Sequence, residues 1–265
     1  MRRRVPPRGL SMVNCGLYIH PHELTPFWVK RAVSSGVSFL GVHPVGGRKS
    51  HEAIDDAIEW LKRPRVLDML TELGQNGVNV EFGMHALTWL LPRALFTERP
   101  EWFRMDETGV RTPDFNMCAN NDEALSYVAS RAAELAEIFR PTTNFYHFWP
   151  DDVVNKRCRC KGCAALSVSD YLLKINHALL DGIRKTDPGG KQSYLAYLDA
   201  LSPPERIGPR PGIYLEYAPF DRDMDKPVCD ADSAENAAQT RPLHKLLECF
   251  GKTDARVLDY WLDNS

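Results

Sequence analysis

The sequence predicts an α/β fold, a (β/α)8 barrel of TIM type that is truncated or open after its seventh strand. Three observations lead there. Short apolar or aromatic runs alternate with helix-patterned segments from residue 11 onward, which argues for parallel strands with helices outside them. Seven such strands follow one another without a composition break or long linker, which suits a barrel better than a doubly wound sheet. No glycine-rich dinucleotide fingerprint opens a helix, so the nucleotide-binding alternative loses its main support. The 265 residues could make two small domains or one barrel, since barrels often run roughly 200–250 residues as one domain. The expected organisation is a leader over 1–10 and one barrel domain over 11–265 lacking its last βα unit.

In chain order, residues 11–20 (SMVNCGLYIH) alternate loosely and read as strand one, closed by Pro21. Thr25 followed by Pro26 is a helix cap with proline in the first turn, and Gly36 is a C-terminal stop. Strand two spans 37–43 and ends at His43 before Gly46-Gly47. Ser50 can cap a long helical region that Pro64 kinks or splits. Strand three, 78–86, ends near His85, and a loop-rich excursion covers 90–120. Asn120-Asn121 start a helix whose apolar positions recur three and four apart, the mark of one buried face. Strand four is the aromatic run Asn144 to Trp149. Ser169 begins the next helix, stopped by Asp187-Pro188-Gly189-Gly190. Strands five and six are expected at 193–200 and 212–220, a helix around 233–250, and strand seven at 255–262.

Composition narrows the function. A net charge of −2 gives no electrostatic reason to expect nucleic acid or an anionic membrane as partner. The basic opening MRRRVPPRGL is not followed by an apolar run, so it does not read as a secretory signal. No stretch reaches the roughly 18 uninterrupted apolar residues of a membrane helix. Seven cysteines, an odd number without a signal, argue for reduced thiols and a cytoplasmic location.

In a parallel barrel the chemistry sits at the C-terminal ends of the strands. Those ends supply His20, His22, His43, His85 and Trp89, then Trp149, Asp151 and Asp152. Further round come Tyr197, Asp199, Glu216, Tyr217, Asp221, Asp223, Asp259, Tyr260, Trp261 and Asp263. Aromatic faces stack on sugar rings, while carboxylates bind hydroxyls and move protons, so this rim points to carbohydrate. Glycoside cleavage needs one carboxyl to protonate the leaving oxygen and a second acid, or a substrate group, as nucleophile or base. Asp152 is the expected acid, because a carboxyl beside Asp151 and near aromatic rings should hold its proton more tightly. Glu216, Asp221 and Asp259 are open as the second carboxylate. Strand alternation lets only one of Glu216 and Tyr217 face the axis.

Two metal readings stand beside this. His20-Pro21-His22 resembles the first-strand ligands of barrel metallohydrolases, but strands five and six lack the matching histidines. Cys158, Cys160 and Cys163 could hold a structural zinc if a fourth ligand came from Cys229, Cys118 or a histidine; otherwise they are reduced thiols packing a loop. The glycosidic chemistry itself requires no cofactor.

The run EFGMHALTWLLPRALFTERPEWFRMDETGVRTPDFNMC, with FYHFWPDD, CRCKGC, YLAYLDAL, YLEYAPFDRD and LDYWLDNS, resembles the domain-of-unknown-function 4838 family from Gly16 to Ser265. That resemblance implies a glycoside-hydrolase-like barrel, related in outline to α-glucuronidases and hexosaminidases, and members that continue past the last segment. His147 to Asp152 is also similar to the H-x-G-G-D-E motif of family 20 hexosaminidases. On that match Asp152 takes the place of the general acid, and Asp151 the place of the acid that orients an acetamido group. Trp149-Pro150 replaces both glycines, and the acid is shorter by one methylene. The resulting expectation is a barrel that cleaves a mono- or oligosaccharide, acidic or N-acetylated. Asp152 would be the acid, with Asp151 or Glu216 the second carboxylate. His43, His85, Trp89, Trp149, Tyr197, Asp221, Asp259 and Trp261 would surround the sugar. The rival readings are a non-catalytic carbohydrate-binding barrel and a metal-dependent barrel hydrolase.

Overall fold

The computed structural model describes residues 14–230 and 232–260. Seven strands pair in chain order, all parallel: β1 Gly16–Ile19, β2 Phe39–Val42, β3 Asn79–His85, β4 Phe145–Trp149, β5 Lys191–Ala196, β6 Ile213–Tyr217 and β7 Arg256–Val257. Between them run α1 Pro26–Ser35, α2 Ser50–Leu61, α3 Pro64–Gln75, α4 Leu87–Leu90, α5 Asp122–Ile138, α6 Lys161–Ala164, α7 Val168–Thr186 and α8 Ala234–Phe250. No helix among the described residues is long and apolar enough to cross a membrane.

The sheet is curled, and the side chains prove it. A flat sheet would hold β3 and β7 nearly 20 Å apart at about 4.8 Å per strand. Instead Arg256 of β7 bonds Glu81 of β3 at 2.5 and 3.1 Å. The same guanidinium lies over Phe39, Phe145 and Tyr214, on β2, β4 and β6. Among the described residues no pairing joins β7 back to β1, so the barrel is open there, as the strand count predicts.

Three strand glycines make room for rings inside it. A methyl at Gly16 would lie 2.0 Å from the Phe39 ring, at Gly41 2.3 Å from Tyr18, and at Gly83 2.8 Å from Trp149. Below the rim the interior is polar. His147 bonds Glu216 through Nδ1 at 2.9 Å and Glu81 through Nε2 at 3.0 Å, and Glu216 also accepts from Trp149 Nε1 at 2.7 Å. Burial alone would neutralise His147, but the two carboxylates push its pKa up to about 9. Burial raises Glu81, yet His147 and Arg256 bring it down to about 2. An imidazolium therefore sits between two carboxylates, each with a further donor, the arrangement a buried charge needs.

Local signals behave largely as read. Thr25 caps α1, Gly36 takes the left-handed conformation at φ 78, and Pro64 begins a separate helix. Asn121 caps α5 by accepting from Ala124 N. Two starts move: Ser50 is the first residue of α2 after Lys49, and Ser167 rather than Ser169 caps α7. Strand five ends at Ala196, and Leu198–Ala200 form a 3-10 turn, so Tyr197 and Asp199 stand on a loop rather than a strand. The last segment pairs only over Arg256–Val257, and the part of its expected range from residue 261, with Trp261, lies outside the described residues. Glu216, not Tyr217, faces the axis.

Candidate active site and cysteine cluster

Three histidines line the rim above β1 to β3. His20 Nδ1 bonds His43 O at 2.7 Å, His43 Nδ1 bonds Gly83 O at 2.8 Å, and His85 Nδ1 bonds Pro150 O at 2.7 Å. A carbonyl only accepts, so each Nδ1 carries the proton and a neutral ring keeps Nε2 as an acceptor. Burial lowers His43 to about 4, so it is neutral at ordinary pH. Trp149 is the floor beneath them, its ring 5.4 Å from His43 and 5.2 Å from His85. It is 3% exposed, so it shapes the rim rather than offering an open stacking face.

The two adjacent aspartates part company. Asp151 is buried and accepts four hydrogen bonds: Thr88 N at 2.9 Å and Thr88 Oγ1 at 2.7 Å on Oδ1, Arg93 Nη2 at 2.7 Å and Asn116 N at 2.6 Å on Oδ2. Four donors occupy the lone-pair sites of a carboxylate, so Asp151 has none left for a substrate. Asp152 is exposed. A methyl built on Gly46 would lie 3.5 Å from its Oδ2 and 2.9 Å from His85 Cδ2, which puts Asp152 in a narrow gap beside the histidine row. The expected like-charge neighbour is thus a carboxylate already paired to Arg93, and the expected desolvation is absent.

Tyr197 follows β5 on the rim. Its hydroxyl is pushed up to about 12, first by burial and then by the charges of Asp152 and Asp221, so both carboxylates are within electrostatic reach of it. Phe220 packs edge-on to Tyr197 at 5.4 Å and to Tyr260 at 5.1 Å, an aromatic wall next to Asp221. Asp199 accepts from Asn155 N at 2.9 Å and ties the loop after β5 to the loop after β4.

Several expected members lie elsewhere. Glu216 is buried under Trp149, held by that ring's Nε1 and by His147. Trp89 donates to Asp55 of α2 at 2.8 Å, with Arg131 of α5 over its ring at 4.1 Å, so it belongs to the helix layer. Asp259 is not displaced in this way: it precedes Tyr260 of the aromatic wall and accepts from Arg222 Nε at 3.1 Å. Among the described residues no three histidine or carboxylate donors converge as metal ligands, and the one group that does is Cys118, Cys158, Cys160 and Cys163.

The four sulfurs all lie within 4.8 Å of one another, Cys118 being 3.6 Å from Cys160 and 4.0 Å from Cys163. A tetrahedral ion with Zn–S of about 2.3 Å requires sulfurs about 3.8 Å apart. Cys158 Sγ also accepts from Met105 N, Cys160 N and Arg111 Nη1. These donors would orient a bound thiolate and offset its charge. Hydrogen bonds from the neighbouring thiols hold the Cys118 thiolate well below the usual range, and that thiolate pushes Cys158 and Cys163 up. Cys118 fills the fourth corner, while Cys229 is exposed and apart.

Arg93, Thr88 and Asn116 were not legible as partners of Asp151. Arg93 falls inside the family-like run WLLPRALF, which marks the segment but not its target.

Solved structures of similar outline include the pneumococcal virulence factor StrH, at 11% identity and a TM-score of 0.46, over 77% of this chain and 58% of that one. Another is TtGalA, an α-galactosidase from Thermus thermophilus in complex with stachyose, at 13% identity and 0.44, over 92% and 54%. A third is an α-amylase from Lactobacillus plantarum, at 13% and 0.40, over 68% and 44%. The chain spans less than two thirds of each, and likeness at this level says nothing of chemistry. No curated protein sequence matches the chain. The sequence profile described as "Domain of unknown function (DUF4838)" matches residues 22–246, and the chain belongs to that family.

Proposed function

We propose that the rim binds a mono- or oligosaccharide and cleaves a glycosidic bond, with Asp152 donating the proton and Asp221 as the second carboxylate. The observation that carries this reading is the exposed Asp152 carboxyl close to Gly46, which also neighbours His85, with the charges of Asp152 and Asp221 both acting on the Tyr197 hydroxyl. A protonated Asp152 would give its proton to the leaving oxygen, and Asp221 would serve as nucleophile or base. His20, His43 and His85 would accept sugar hydroxyls at Nε2, and Tyr197 and Phe220 would stack on the ring. Asp151 and Glu216 become positioning residues: the first fixes the segment that carries Asp152, the second fixes Trp149.

A panel of aryl glycosides tested with the wild type and Asp152→Asn decides the matter. Turnover confined to the wild type supports the assignment, and undiminished turnover in the variant overturns it. Non-catalytic sugar binding is the second reading, favoured by the commitment of Asp151 and Glu216 to internal partners. It predicts sugar affinity without turnover in either protein.

The four-cysteine cluster is proposed to hold a structural zinc with no step in the reaction, in a reducing compartment such as the cytoplasm. Sulfur separations near those of a tetrahedral ion support this. Metal analysis of the purified protein should give about one equivalent, and a value near zero overturns it.

A further inference from the structure

Cys118 and Cys158 each lie two residues beyond a member of one polar bridge. Two residues before Cys118 stands Asn116, and two before Cys158 stands Lys156. Asn116 Nδ2 donates to Lys156 O at 3.1 Å. The same Asn116 donates its backbone N–H to Asp151 Oδ2, while Asp151 N donates back to Asn116 Oδ1 at 3.2 Å. Chain and hydrogen bonds therefore form a ring that runs from Cys118 through Asn116 and Lys156 to Cys158. An ion on the four sulfurs would close it. Asn116 sits at φ 50, in the left-handed region that a non-glycine residue occupies at a cost.

The supports on either side are fixed. Cys118 N bonds Trp102 O at 2.8 Å, and Tyr171 OH bonds Met117 O at 2.8 Å. Arg159 N bonds Met105 O at 2.8 Å. The excursion between α4 and α5 and the loop after β4 thus meet at the sulfurs, at Met105 O with Arg159 N, and at Asn116 with Lys156 and Asp151, and Asn116 is only two residues from Cys118.

We propose that metal on the four cysteines is the clasp that holds the acid-bearing segment 151–152 in place, so that its loss frees Asp151 from Asn116 and moves Asp152 out of the cleft while the rest of the barrel stays folded. This rests on the zinc assignment above and deepens it into control of the site. It implies that metal depletion or thiol oxidation would silence the rim from a distance.

Amide hydrogen exchange tests the clasp without a substrate. Zinc-loaded protein and protein stripped by chelator under reducing conditions are compared at the amides of Thr88 and Asn116, which donate to Asp151, and of Tyr194 within β5. The expected result is exchange at least tenfold faster at Thr88 and Asn116 after stripping, with Tyr194 unchanged. Unchanged exchange at Thr88 and Asn116 overturns the clasp, as does equal loosening of Tyr194, which would make the ion a support of the whole barrel. A second arm uses Asn116→Ala with zinc retained at one equivalent. Faster exchange at Thr88 in that variant supports the path through Asn116, and full protection overturns it. A protein that neither carries nor takes up zinc overturns the zinc assignment itself, a failure recognised by metal analysis before any exchange is measured.

Discussion

Arg256 and Glu81 stand four strands apart in the sheet, yet their side chains bond directly inside the barrel. Glu81 is fully buried there and accepts from Arg256 through both of its carboxylate oxygens. The pair therefore ties the last strand of an open sheet to its third strand from within.

Replacing Arg256 with methionine keeps much of the packing over Phe145 and removes the charge. Breaking one side of a buried pair leaves the other uncompensated, at a cost of about 3–5 kcal/mol. Urea unfolding of Arg256→Met should show a loss near the lower end, because His147 still bonds Glu81. A loss under about 1 kcal/mol would show that the sheet holds its curl without this pair.

The same network sets a pH window. His147 has its folded pKa raised from 6.5 to about 9, so its contribution is complete below pH 6.5 and is lost as pH rises through about 9. Glu81 has its folded pKa lowered from 4.5 to about 2, so its contribution is complete above pH 4.5 and is lost as pH falls through about 2. Stability from these groups should be greatest between pH 4.5 and 6.5 and fall by on the order of 1–3 kcal/mol toward pH 9. Thermal unfolding across that range checks it, and a midpoint that rises steadily from pH 6.5 to 9 contradicts it.

Adjacent aspartates should give opposite phenotypes. Asp152→Asn changes an exposed group and should leave stability within about 0.5 kcal/mol of the wild type while abolishing turnover. Asp151→Ala strips four donors, one of them Arg93, of their acceptor and should cost about 3 kcal/mol or more. Paired denaturation curves for the two variants make the comparison, and equal losses would refute the division of labour.

Gly46 limits the width of the cleft beside Asp152. A methyl there would meet His85 Cδ2 at 2.9 Å, so Gly46→Ala must displace the His85 ring or the loop by several tenths of an ångström. Sugar affinity should fall several-fold with little change in unfolding temperature. Unaltered affinity would place the sugar elsewhere on the rim.

The strand order and the rim were legible in the chain because both follow from short-range pattern. The run Phe145 to Trp149 announces a buried strand, and the histidines at 43 and 85 close theirs by position alone. Direction was harder. Nothing in Trp89 tells that Asp55 and Arg131 will draw its ring into the helix layer. Asp151 and Asp152 look equivalent in the sequence, and they differ because Thr88, Arg93 and Asn116, 63, 58 and 35 residues earlier, reach the first. Cys118 could be named as a fourth ligand but not chosen over Cys229, since the choice depends on where the excursion before α5 returns. Ser50 and Ser169 mislead for a local reason: a serine near a helix start reads alike whether it caps the helix or sits within its first turn.

The histidine row has a consequence for how the rim can change. Each imidazole is anchored to a main-chain carbonyl of a neighbouring segment, never to the side chain of the next histidine. Replacing one ring removes its own acceptor and leaves its neighbours moored. Substitutions along this edge can therefore accumulate one residue at a time, without any intermediate in which the row as a whole comes loose.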